Sequence, residues 1–391
     1  MLTSLAIIII FGSLFYVVME KMRLPGLLGM LLIGIVMGPY GLDVLHPNIL
    51  AISSDLRMMA LIIILLRAGL GVKKDTLKKV GRPAILLGFV PALFEGFSVL
   101  FISSLLLGLD RVEAGMLGFI IAAVSPAVVV PSMLKIMSQG KGEKNGVPTL
   151  ILAGASIDDV MAITIFSSFV GLYGGKQFRV LQQLSNIFIA IALGILIGVI
   201  IAYILLWFFK RFSIRDTKKV LFMLALSFLI ITLEHNMAHK IEIAGLLGVM
   251  TIGFVILEKK PMVGQRLSMK LNKIWVFAEL LLFVLVGAEV NIYLAKEAGF
   301  LGIAIILAGL LARSIGVFIA LYKSHLNIKE KIFCAIAYSP KATVQAAIGG
   351  VPLAMGVPAG DLILAIAVMA IIITAPLGAI GIKTFGERLL D

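Results

Sequence analysis

The chain reads as a succession of apolar runs separated by short polar breaks, and the runs are long enough to dictate their own conformation. A backbone crossing lipid has no water to bond to, so it closes its hydrogen bonds within a helix or within a sealed barrel. A spanning helix takes about 20 apolar residues at about 1.5 Å each. Runs of this kind fall at roughly 2–19, 26–42, 56–71, 82–108, 111–137, 147–172, 184–209, 219–235, 241–257, 273–293, 299–322, 331–351 and 358–383. The pattern predicts an all-α polytopic membrane protein of about 13 transmembrane helices. Composition agrees: 61% of the 391 residues are hydrophobic and 14% charged, against about 45–50% and about 25% in soluble domains. The first run, LTSLAIIIIFGSLFYVVME, has no basic start and no small-residue cleavage site, so it reads as a retained span. A single cysteine, Cys334, leaves no internal disulfide and reads as a small core residue.

The formal charge of +13 is distributed by topology. Every second break is rich in Lys and Arg, and 24 of the 34 basic residues fall on that side. The other side holds five: Arg111, Lys176, Arg179, Lys240 and Lys296. The positive-inside rule then puts the N-terminus outside and the C-terminus in the cytoplasm, in the cell membrane. No basic stripe is interleaved with aromatics, so a nucleic-acid partner is not expected. Arg57 and Lys135 lie near span ends, where long side chains snorkel. Arg67, Arg313 and Lys341 lie deeper and need partners.

Two adjacent aspartates, Asp158 and Asp159, sit in the middle of TLILAGASIDDVMAITIFSSFVGLY. A carboxylate at mid-bilayer costs about 2.5–3.5 kcal/mol on insertion scales, and two in succession also repel. A chain that keeps such a pair binds something there, and a proton or a metal cation is the small, mobile candidate. The two side chains are about 100° apart around the helix, so they face different surroundings. The fifth and twelfth runs each carry a Ser-Pro near the middle, Ser125-Pro126 in AAVSPAVVVPSM and Ser339-Pro340 in AIAYSPKATVQAA. Proline frees the carbonyl four residues back. Two such breaks fit inverted six-helix repeats, spans 1–6 and 8–13, whose interrupted helices cross and build an ion site near the midplane. Lys341, directly after Ser339-Pro340, is placed to pair with one of the aspartates. Glu95 and Arg313, in spans 4 and 11, are natural partners that join the halves. Arg67 lines a funnel or bonds freed carbonyls, and Glu279 and Glu289 read as rim or interhelix partners. His46, His235, His239 and His325 have no metal-ligand spacing, although His235 and His239 can tune a pH response.

The set GASIDDVMAITIF, ASPAVVVPSM, LLRAGLGV and SPKATVQAAIGG resembles the monovalent cation:proton antiporter-2 family, and within it the bacterial relatives of the animal sodium/proton antiporter clade. The resemblance covers essentially the whole chain. It implies one sodium/proton exchanger-type domain over 1–391 and a homodimer in the bilayer. A core of about 82–172 and 299–383 would move, elevator-like, against a dimerisation scaffold of about 1–71 and 184–293. It further implies that Asp159 takes the cation, Na⁺ or Li⁺, and the proton in turn, that Asp158 pairs with Lys341, and that no cofactor is needed. Ser125 and freed carbonyls would complete the cation shell. The expected activity is secondary active antiport, not enzyme catalysis. A K⁺/H⁺ antiporter of the same fold is the nearest alternative. A cation channel is disfavoured by the inverted halves. An intramembrane aspartyl protease is disfavoured because its carboxylates would have to converge from two helices. An organic-anion symporter on a similar scaffold would not need this set of charges.

Overall fold

The computed structural model describes residues 1–391 except 23, 25, 73, 175–179, 238–242, 291–292 and 294–298. Arg23, Lys73, Lys176, Arg179, His239, Lys240 and Lys296 therefore lie outside the described residues. Within them the secondary structure is entirely helical. The order is α1 (Leu2–Lys21), α2 (Gly26–Met37), α3 (Pro47–Ala51), α4 (Ser53–Gly69), α5 (Lys74–Leu107), α6 (Arg111–Ala122), α7 (Pro126–Ser138), α8 (Val147–Tyr173) and α9 (Val180–Arg211). There follow α10 (Asp216–Met237), α11 (Gly245–Lys259), α12 (Pro261–Ala288), α13 (Gly299–Ala320), α14 (Ile328–Ala337), α15 (Thr343–Ile348), α16 (Val351–Ala354) and α17 (Gly360–Leu389).

Nine stretches among the described residues are long and apolar enough to cross a membrane alone. The expected figure of about 13 is larger because four apolar runs fall on shorter helices. These are α2 with 12 residues, α4 with 17, α11 with 15, and the interrupted α14–α15. Short helices are held by close packing. A Cβ on Gly34 or Gly287 would lie 2.2 Å from the carbonyl oxygens of Val284 and Leu31 respectively, so α2 and α12 touch backbone to backbone. Small residues at a helix interface allow this approach, which substitutes for a hydrophobic drive that lipid does not supply.

Two sets of helices emerge from the packing. Helix α5 lies against α13, α6 and α8, and α17 lies against α14, α15, α6 and α7. Separately, α12 packs on α2 and α4, α11 on α4 and α9, and α1 on α2. The sets meet where α7 touches α4 and where α8 touches α9 and α11.

Helix α6 stops at Ala122, residues 123–125 are non-helical, and α7 starts at Pro126. Proline is tolerated there because the first helical position has no intrahelical use for its N–H. Likewise α14 stops at Ala337, residues 338–342 are non-helical and include Pro340, and α15 starts at Thr343. The two non-helical stretches touch: the Ser125 N–H donates to the Pro340 carbonyl at 2.8 Å.

Candidate ion-binding site

Helix ends buried in a membrane leave carbonyls that must find donors. At the end of α6 these donors are two side chains from distant elements. Gln345 on α15 donates its Nε2 to the carbonyls of Ile120 and Ala123, both at 2.9 Å. Arg313 on α13 donates Nη1 to the Ala122 carbonyl. A guanidinium at the C-terminal end of a helix also meets the negative end of its dipole. On the other side of the gap, the Val124 N–H donates to Asp158 Oδ2 at 2.8 Å.

Arg313 is the hub. Its Nη1 also bonds Glu95 Oε2 at 2.7 Å, its Nη2 bonds Asp158 Oδ1 at 2.8 Å, and its guanidinium carbon lies 5.2 Å from the centre of the Tyr338 ring. Lys341 Nζ bonds the same Glu95 Oε2 at 2.6 Å. The Lys341 backbone N–H is fixed by Thr374 Oγ1 on α17 at 2.8 Å. Arg313, Lys341, Glu95 and Asp158 are 1%, 0%, 0% and 0% exposed. At that burial an ion pair stands only if geometry and further hydrogen bonds compensate the lost hydration. The four groups and the helix end supply both.

The structure brings Asp158, Asp159, Lys341, Ser125, Glu95, Arg313, Pro126 and Pro340 into one region but redistributes the pairing. Asp158 was expected to pair with Lys341; it is bonded by Arg313, and Lys341 goes to Glu95. The reason is geometric. The planar guanidinium bridges two carboxylates that approach it from α5 and α8, whereas the single Nζ of Lys341, rising from the non-helical 338–342 stretch, reaches only Glu95. The Glu95–Arg313 pair stands as expected.

Asp159 differs from its neighbour. It is 7% exposed, makes no ion pair among the described residues, and its Oδ1 has no hydrogen-bond partner there. The Ser125 hydroxyl likewise has no hydrogen-bond partner among the described residues. Asp159 lines a cavity of about 230 Å³ together with Pro126, Ser156 and Thr164. The local charge tally follows. Asp158 and Glu95 carry two negative charges and Arg313 and Lys341 two positive ones, so these four balance. The ionised Asp159 carboxylate is the charge left over.

Other charged residues fall elsewhere. Arg67 lines a second cavity of about 340 Å³ with Glu20, Lys135, Glu279 and Lys383, and no site residue borders it. Arg57 does not snorkel: it is buried and pairs with Glu289 at 2.7 Å, with Ser53 on the same carboxylate. Gln345, Tyr338 and Thr374 escaped the sequence reading. Gln345 alone had a signal, a polar amide in an apolar run shortly after Ser339-Pro340.

The chain matches the sodium/hydrogen exchanger transmembrane family over residues 5–388. It is 36% identical over 390 residues to human sodium/hydrogen exchanger 9B2, covering 94% of this chain and 70% of that protein. It is 33% identical to human sodium/hydrogen exchanger 9B1, covering 94% of this chain and 73% of that one. Among solved structures it resembles the sodium proton antiporter MjNhaP1 from Methanocaldococcus jannaschii, with a TM-score of 0.81 at 20% identity, covering 99% of this chain and 98% of that one.

Proposed function

Because the chain belongs to the sodium/hydrogen exchanger transmembrane family, we propose that it is a secondary active antiporter that exchanges Na⁺ or Li⁺ for H⁺ at Asp159. The observation that carries this is the unbalanced carboxylate. Asp158, Glu95, Arg313 and Lys341 neutralise one another through direct bonds, and Asp159 borders a cavity with a free Oδ1. A proton or a monovalent cation on Asp159 brings the five-residue cluster to neutrality. The bare carboxylate leaves it at one net negative charge.

Coupling follows from that difference. A neutral cluster crosses a low-dielectric barrier at far lower cost than a charged one. Loading with either cargo therefore permits the crossing, and the empty site is held back. The two cargoes compete for one carboxylate, so each expels the other. Asp159 supplies a hard oxygen ligand, and the Ser125 hydroxyl, a backbone carbonyl of the 123–125 stretch and water would complete the shell. Asp158 positions that stretch through the Val124 N–H.

In this reading α6–α7 and α14–α15 are crossing broken helices from two inverted repeats, and their contacts include the Ser125–Pro340 bond and the Gln345 amide on the end of α6. The set built on α5, α6, α7, α8, α13, α14, α15 and α17 is the moving core, about 82–172 and 299–383. The rest, about 1–71 and 184–293, is the dimerisation scaffold of a homodimer. The core moves elevator-like against it, with the N-terminus outside and the C-terminus in the cytoplasm of a cell membrane.

The test is proton-gradient dissipation in proteoliposomes on addition of Na⁺, Li⁺ or K⁺. Wild-type protein should collapse the gradient with Na⁺ or Li⁺. Asp159→Asn should abolish exchange while remaining folded and monodisperse in detergent. Wild-type rates in that variant would overturn the assignment.

A further inference from the structure

A second carboxylate, Glu234, borders the same cavity as Asp159, and it comes from the other set of helices. It lies near the C-terminal end of α10, half-buried, with no ion pair among the described residues. It lies directly against the start of α11: a Cβ on Gly245 would lie 2.3 Å from Glu234 Oε2. The carboxylate is therefore packed on the first residue of α11, a fixed point of the second set of helices. The same cavity is lined by Thr164 and Ser167 of α8 and by Ile243, Ala244 and Gly245. From Asp159 to Ser167 the cavity follows α8 towards its C-terminal end, away from the Lys141–Lys144 loop.

We propose that Glu234 is a fixed cation-capturing carboxylate that serves Asp159 from one face of the membrane only. This rests on the antiporter reading above. Asp159 travels with α8, whereas Glu234 stays with α10 and α11. The two share a cavity in the conformation seen here, and movement of the core separates them. On this face an incoming monovalent cation meets a second negative charge just before Asp159. On the opposite face Asp159 would meet different walls and no Glu234. The face concerned is the one where α10 ends, opposite the basic breaks, hence the outer one by the basic-residue count. Recruiting charge at a cavity mouth raises the local cation concentration and lowers the half-saturating concentration without touching the turnover step.

The plainer role for Glu234 is structural, packing against the start of α11 at Gly245. The two roles separate experimentally. Sodium-driven exchange by Glu234→Gln and wild type would be measured in sealed vesicles of both orientations, with Na⁺ added to one face at a time and thermal stability recorded in detergent. The expected result is a rise of about three- to tenfold in KM for Na⁺ at the outer face. The KM at the inner face and kcat should be unchanged. Glu234→Asp keeps the charge and should restore most of the outer-face KM; where the Gln variant does not express, Asp should show a smaller rise on the same face. Unchanged KM on both faces, even with lowered stability, would reduce Glu234 to a packing role and overturn the proposal. An equal rise on both faces would overturn its one-sidedness. Asp159→Asn, measured alongside, tests the antiporter reading independently: its loss of exchange upholds that reading whatever Glu234 does.

Discussion

At the residue scale the site is a charge-accounting problem solved by Arg313. It bonds Asp158, Glu95 and the end of α6 at once. Removing one member of a buried ion pair leaves an uncompensated charge, which typically costs about 3–5 kcal/mol. Arg313→Met should therefore lower the thermal midpoint in detergent by many degrees. Adding Asp158→Asn should recover part of the loss, since Asp158 is the carboxylate left without its ion-pair partner while Glu95 keeps Lys341. A melting curve for Arg313→Met that overlays wild type would contradict the hub role. The participants were legible in the sequence because each is a charge inside an apolar run, and Asp158, Asp159, Glu95, Arg313 and Lys341 stand out for that reason alone. The partner choice was not legible. It depends on where the 338–342 stretch aims Lys341 and on two carboxylates from different helices converging on one guanidinium, and sequence spacing carries neither fact.

At the element scale the first non-helical stretch is closed by side-chain donors, and the second is tied through its Lys341 N–H to the Thr374 hydroxyl. Gln345 closes two carbonyls at the end of α6 with a single amide. Gln345→Leu keeps the volume and strands both acceptors, at a cost of about 1–3 kcal/mol each by the usual desolvation penalty. A lowered melting temperature with residual exchange is expected; unchanged stability would show that those carbonyls have other donors. Ser125-Pro126 and Ser339-Pro340 marked where the helices stop, because proline cannot donate inside a helix. The donors that close the end of α6 stay hidden, since Arg313 and Gln345 come from segments 191 and 225 residues away. Helix bounds differ from the runs for a related reason: the apolar runs 26–42 and 241–257 set the expected lengths, whereas α2 ends earlier, at Met37, and α11 starts later, at Gly245.

At the scale of the whole molecule, the sequence revealed an all-helical membrane protein through run length alone, while the division into two packed sets appears only in the contacts. Among the described residues few polar ties join them. On the basic side, Lys383 of α17 meets Glu20 of α1 at 3.5 Å and the Leu24 carbonyl at 2.8 Å, and Lys74 of α5 meets Glu258 of α11 at 3.0 Å. These pairs are partly exposed, and such pairs are worth about 0–1 kcal/mol. If the core moves against the scaffold they must open, at little cost. Lys383→Ala should thus change exchange rate by no more than about fivefold, and a complete loss would contradict easy parting at this seam. The central claim is that one carboxylate, Asp159, exchanges a proton for a cation. Its most direct test is proton release on adding NaCl to purified protein in weakly buffered detergent solution, followed with a pH dye and corrected with choline chloride. Wild type should release protons saturably with Na⁺, while Asp159→Asn should release none and Asp158→Asn should still release them. Undiminished release from Asp159→Asn would contradict the account.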